Sequence, residues 1–193
     1  MSSARREQLL DLAAEVLERE GLDEFGIGSL ARAAGIRPPS LYKHFTGLAD
    51  IHNALISRSF RDLAAELDAA ASAGNAASTD RPDLRARVAA FAAAYRRQAL
   101  ARPQLYRLTT ARPLDRTAID PGSEQAAMLA LLALFGEDLT RHDVARSAWA
   151  WAHGLVTLEI AERFPPDADL DAAWDVLVDT LAARASRDDD IVT

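Results

Sequence analysis

Residues 27–45, Ile-Gly-Ser-Leu-Ala-Arg-Ala-Ala-Gly-Ile-Arg-Pro-Pro-Ser-Leu-Tyr-Lys-His-Phe, constrain the fold more than any other stretch of this 193-residue chain. The spacing of Leu30, Ala31, Ala34, Ile36, Leu41 and Phe45 predicts two short helices that meet through their apolar faces. Ala31 is small enough for a close helix crossing, and Gly35 supplies the backbone freedom of a tight turn between them. Pro38 and Pro39 fall where the second helix begins, a position that tolerates proline because first-turn N–H groups have no intrahelical partner. That helix then presents Ser40, Tyr42, Lys43 and His44, a set of side chains suited to phosphates and base edges. The stretch reads as a helix-turn-helix whose second helix enters a DNA major groove.

Charge is distributed accordingly. The chain carries a net charge of −7, but residues 25–61 hold Arg32, Arg37, Lys43, Arg58 and Arg61 against Asp50 alone, which makes that segment +4 and leaves −11 for the rest. A basic segment attached to an acidic body is expected of a nucleic-acid module joined to a domain with another partner. Chance clustering on a solvated face is the alternative that charge alone leaves open. Arg5 and Arg6 at the start of the first helix admit the same two readings, a DNA backbone contact or a solvated arm.

Elsewhere the pattern is helical throughout. Hydrophobic residues make up 49% of the chain, alanine is abundant, and no alternating β-branched run suggests a strand. The expected helices run from Ser2 or Ser3 to Glu20, ended by Gly21, then through the helix-turn-helix and a long helix from Leu48 to Ser72. Residues 73–81 read as a loop, with Asp80 and Pro82 starting a helix to Ala101, broken by Arg102-Pro103. A short helix follows, then a loop over 111–121. Ser123–Phe135 is apolar almost all round and predicts a fully buried helix ended by Gly136. Thr140, with Asp143 and a Leu139–Val144 staple, opens a helix that Pro165-Pro166 stops after Phe164. The last helix spans 169–184, followed by an acidic, frayed tail. The fold class is all-α with about nine helices, divided into a head of residues 1–47 and a body of 48–193, with 48–72 connecting them.

The pattern over residues 5–55 resembles the tetracycline-repressor (TetR) family of transcriptional regulators. The resemblance rests on Gly35-Ile36 followed by Ser40-Leu41-Tyr42-Lys43-His44-Phe45, between a first helix and a long fourth one. It implies phosphate contacts from Ser40, Tyr42 and His44, and base-edge or groove contacts from Arg37, Pro38, Pro39 and Lys43. A guanidinium suits guanine, whereas a flexible ammonium suits a phosphate. Three positions depart from the family pattern. Gly26 and Gly28 stand where a capping threonine and a polar residue are common, and Leu48 stands where a phosphate-gripping lysine usually follows. Affinity then rests more on Arg32, Arg58 or Arg61, or is weaker.

In the body, Trp149-Ala-Trp-Ala-His153-Gly154-Leu155 resembles a Trp-…-His-Gly signature of one subgroup. The resemblance implies a ligand pocket lined by Tyr95, Tyr106, Trp149 and His153. It also implies a dimer interface using Leu170, Trp174, Leu177 and Leu181. Ordinary core packing remains the second reading for both sets. The implied function is a ligand-responsive regulator, most simply a repressor, that binds double-stranded operator DNA as a homodimer and is released by a largely apolar small molecule. The competing reading is an all-helical binding or interaction protein that has lost sequence-specific DNA binding.

No cysteine is present, and His44, His52, His142 and His153 show no metal-ligand spacing. There is no phosphate-binding glycine loop or nucleophile elbow, so neither an enzyme nor a cofactor is expected. No apolar run has the length of a membrane span, and the expected location is cytoplasmic.

Overall fold

The computed structural model describes residues 2–76, 84–135 and 141–189. Among them are nine helices and no strand: α1 (Ser2–Glu20), α2 (Ile27–Ala33), α3 (Pro38–Leu41), α4 (Leu48–Ala76), α5 (Leu84–Ala101), α6 (Pro103–Thr110), α7 (Ser123–Phe135), α8 (Arg141–Ile160) and α9 (Leu170–Asp189). The expected signals at Asp80, Pro82, Gly136, Leu139 and Thr140 lie outside the described residues. The chain packs as two units, residues 1–61 with 102–124, and residues 62–101 with 125–193.

The first unit is built on α1. Leu9, Leu10, Ala13, Val16 and Leu17 fall at helical spacing and are buried, closing a core with Phe25, Leu30, Leu41, Phe45, Ile51 and Leu55. Leu105, Leu108 and Ile119 join the same core, so α6 and the segment after it belong here by packing. The α6 N-terminus is held by a residue remote in sequence. The Glu18 carboxylate accepts the Gln104 N–H at 3.1 Å and the Leu105 N–H at 2.8 Å, while the Gln104 side chain accepts the Leu22 N–H at 3.2 Å. The Gln104 and Leu105 N–H groups are first-turn donors with no intrahelical partner. The loop after α6 is pinned as well: Ser57 Oγ donates to the Asn53 carbonyl at 2.7 Å and accepts the Asp120 N–H at 2.8 Å.

The second unit packs α5, α8 and α9 on one another. On α8, Ala145, Ala148, Ala152 and Val156 are fully buried; small side chains at three- and four-residue spacing let the neighbouring helices approach closely. Arg96 of α5 ties the three together. Its guanidinium meets Glu159 of α8 at 2.7 Å and Asp171 of α9 at 2.6 Å, and lies over the Trp174 ring at 5.6 Å. Trp174 Nε1 donates to Glu159 at 3.2 Å. These partners hold the Arg96 guanidinium more firmly protonated than an isolated one, Glu159 being the main cause.

Two expectations are corrected here. Helix α7 is not buried on all sides, since Leu129 is 55% exposed. Helix α8 ends before its prolines because Glu162 adopts a left-handed φ of 51°. The Arg163 N–H then reaches the Leu158 carbonyl at 2.9 Å and the Glu162 N–H reaches Glu159 at 3.0 Å, a Schellman closure formed without glycine. Asp169 caps α9, its carboxylate accepting the Ala172 N–H at 3.0 Å.

Candidate DNA interface

The helix-turn-helix is fixed by backbone chemistry at three points. At the start of α2, Gly26 has no capping side chain, so Ser29 Oγ turns back to accept the Gly26 N–H at 3.0 Å and to donate to its carbonyl at 2.9 Å. At the end of α2, Gly35 takes φ +64°. Its N–H bonds the Arg32 carbonyl at 3.2 Å, and that of Ile36 bonds Ala31 at 3.1 Å, another Schellman closure. Arg37 is extended, with φ −78° and ψ 144°, as a residue before proline must be. The α3 helix proper is one turn long. It continues as hydrogen-bonded turns, with the N–H groups of His44 and Phe45 both donating to the Leu41 carbonyl at 2.8 and 3.0 Å.

This frame sorts the side chains. Leu41 and Phe45 are buried, whereas Arg37, Pro38, Pro39, Tyr42 and Lys43 are exposed. Tyr42 is 57% exposed, so its phenol is available for contact rather than packed in the core. Ser40 and His44 are half-buried. His44 Nδ1 is buried with no hydrogen-bond partner.

Ion pairs decide which cations remain free. Arg58 is held by Asp11 and Glu7, each at 2.6 Å, and Arg61 by Asp120 at 2.6 Å. Arg6 lies over the Phe45 ring at 4.9 Å and meets Asp50 at 3.3 Å. The expectation that Arg58 or Arg61 supplies the missing phosphate grip is therefore corrected: both bind carboxylates of their own chain. Among the described residues Arg32, Arg37 and Lys43 are exposed and form no salt bridge. Leu48 packs partly against the core, and Asp50 takes over the start of α4, its carboxylate accepting the Thr46 N–H at 2.8 Å.

In the second unit, Trp149 and His153 stack with centroids 6.2 Å apart, and burial holds the His153 imidazole below its ordinary pKa. Tyr95 is buried and pairs with Phe91 at 5.7 Å. Tyr106 lies on α6, in the first unit. The stripe expected at a dimer interface faces its own chain: Trp174, Leu177 and Leu181 are 6%, 0% and 5% exposed and Leu170 is half-buried. A side chain already out of water within one protomer gains nothing from a second. Among the described residues, the large apolar side chains that α8 and α9 leave exposed are Trp149, Trp151, Leu158 and Val176. Among the described residues no group of acids, histidines or cysteines has metal-binding geometry, and no helix is long and apolar enough to cross a membrane.

Two family models match the chain. One describes bacterial regulatory proteins of the tetR family and covers residues 9–55. The other describes a tetracyclin repressor-like C-terminal domain and covers residues 88–181. A relative in Mycobacterium tuberculosis, the uncharacterized HTH-type transcriptional regulator Rv0681, is 34% identical over 188 residues, spanning 94% of this chain and 82% of that protein. The chain belongs to the TetR family of transcriptional regulators. Similar TetR-type folds have been solved. A protein of unknown function from Rhodococcus sp. RHA1 is 27% identical, with a TM-score of 0.76 over 92% of this chain and 93% of that one. BioQ, solved with its double-stranded DNA operator, shares the fold at 20% identity, with a TM-score of 0.61 over 92% and 98% of the two chains. The family match over 9–55 spans all three departures in this TetR-type head, Gly26, Gly28 and Leu48.

Proposed function

We propose that the protein is a homodimeric repressor, bound to a near-palindromic operator through residues 1–47 and released by a small, largely apolar molecule acting on residues 48–193. The observation that carries this reading is the clustering of exposed Arg37, Pro38, Pro39, Tyr42 and Lys43 on one rigid turn, where free positive charge is retained. Arg37 and Lys43 face the groove, with Arg37 matched to guanine and Lys43 adaptable to phosphate. Ser40, Tyr42 and His44 contact the phosphate backbone. Two such helices sit about 34–36 Å apart in successive major grooves.

The dimer face is proposed on the side of α8 and α9 that faces solvent: Ala150, Trp151, Gly154 and Leu158 with Ala172 and Val176. Those α8 positions fall on one stripe at three- and four-residue spacing, and its small residues let a partner helix approach. Effector contacts are proposed on the aromatic residues of α5 and α8, Tyr95, Trp149 and His153. Release requires the effector to prefer the conformation that does not fit DNA, by on the order of 5 kcal/mol for a near-complete switch. The helix running from Leu48 into residues 62–76 connects the two functions.

Gel-shift titration against DNA selected from a random pool tests the reading. Lys43→Ala is expected to weaken binding roughly ten-fold and to lower the salt slope by about one, and Tyr42→Phe to weaken it by a smaller factor. Undiminished binding by both variants overturns the contact assignment. Absence of any steep salt dependence favours the reading in which DNA binding has been lost.

A further inference from the structure

Two consecutive prolines open the recognition helix, and they remove what a helix start ordinarily offers to DNA. Pro38 and Pro39 carry no N–H, so neither backbone position can donate to a phosphate. The next N–H, that of Ser40, is already given to the Arg37 carbonyl at 2.9 Å. Both pyrrolidine rings are exposed, while Leu41 and Phe45 are 0% and 2% exposed. The apolar surface at the exposed start of α3 is therefore the proline pair. Gly28, exposed on α2, adds no side chain to it.

The first residues of a recognition helix meet base edges in the major groove. Base edges there display hydrogen-bond donors and acceptors with one apolar exception, the C5-methyl group of thymine. A polar base atom pressed against proline loses water and gains no partner, which is unfavourable. A methyl group loses only apolar hydration, and proline has no rotamer freedom to give up on contact. The rings are also held in place, since the φ of each is fixed and the turn before them is locked at Gly35. We infer that Pro38 and Pro39 read thymine through its 5-methyl group, beside the base met by Arg37. The inference rests on the DNA-binding reading above and adds the base chemistry of the half-site.

The test uses the full chain and a duplex enriched from random DNA by the wild-type protein. Each thymine is then replaced, symmetrically in both half-sites, by deoxyuridine, which lacks only the methyl group, and affinity is read by fluorescence anisotropy. Affinity is expected to fall roughly four-fold per methyl, and so about sixteen-fold per symmetric pair, at one or two positions in the half-site. In Pro38→Ala or Pro39→Ala, checked for folding by circular dichroism, the thymine–uracil difference at one of those positions shrinks towards unity. Equal affinity for thymine and uracil throughout the half-site overturns the inference. A difference that persists undiminished in both variants and in their combination also overturns it, because another group then reads the methyl. If no sequence is enriched, the DNA-binding reading itself fails, and the inference with it.

Discussion

Single residues decide the interface by what they are already bonded to. Arg32, Arg37, Arg58 and Arg61 are equal in sequence, yet two of them are ion-paired at 2.6 Å and two are not. Arg32→Ala is expected to weaken binding to all DNA sequences alike and to reduce the salt slope by about one. Arg58→Ala leaves that slope unchanged and lowers stability by about 1 kcal/mol, the scale of a partly exposed pair. Titrating both variants against salt separates the roles. The glycines divide in the same way. Gly35 sits at φ +64° with open space around it, so Gly35→Ala pays only the left-handed backbone penalty, about 1–2 kcal/mol in urea unfolding. Gly28→Ala has open space and no positive φ, and gains up to about 1 kcal/mol as a better helix former.

At the scale of elements, helix ends carry the less obvious information. The α6 helix is capped from α1 by Glu18. Glu18→Ala leaves two part-buried N–H groups unbonded, which is expected to cost about 1–2 kcal/mol and to speed amide exchange at Gln104 and Leu105. Helix α8 closes on Glu162 at φ 51°, so Glu162→Gly is expected to raise the thermal midpoint by relieving about 1 kcal/mol of strain. A lower midpoint contradicts that account. Neither feature was legible in the sequence. Glu18 and Gln104 are 86 residues apart, and a glutamate in the left-handed region carries no local signal, whereas Pro165-Pro166 suggested a later stop.

At the scale of the whole molecule, two half-buried imidazoles tie stability to pH. Burial lowers the pKa of His52, helped by the charge of Arg112, and burial alone lowers that of His153. The unfolded chain therefore binds protons that the folded chain resists. Stability is full above the ordinary histidine value of about 6.5 and falls as pH drops below it. Urea midpoints at about pH 7.5 and 5.5 check this, with His52→Gln flattening part of the drop. Assembly gives a second test. Leu158→Arg on the proposed dimer face is expected to give folded monomers in sedimentation, whereas Leu177→Ala, in the core of one protomer, unfolds it by about 2–5 kcal/mol.

The sequence by itself determined the helical class, the helix-turn-helix and most helix starts, because apolar spacing, glycine at turns and proline at first turns act within a few residues of one another. The inner face of α9 was legible as a stripe, but whether that stripe met its own chain or a second copy was not. Tertiary structure decided that, along with which arginines are ion-paired and which unit α6, with its Tyr106, joins. Each of these depends on partners tens of residues away. Periodicity records which side of a helix is apolar, and only the packed chain determines what covers it.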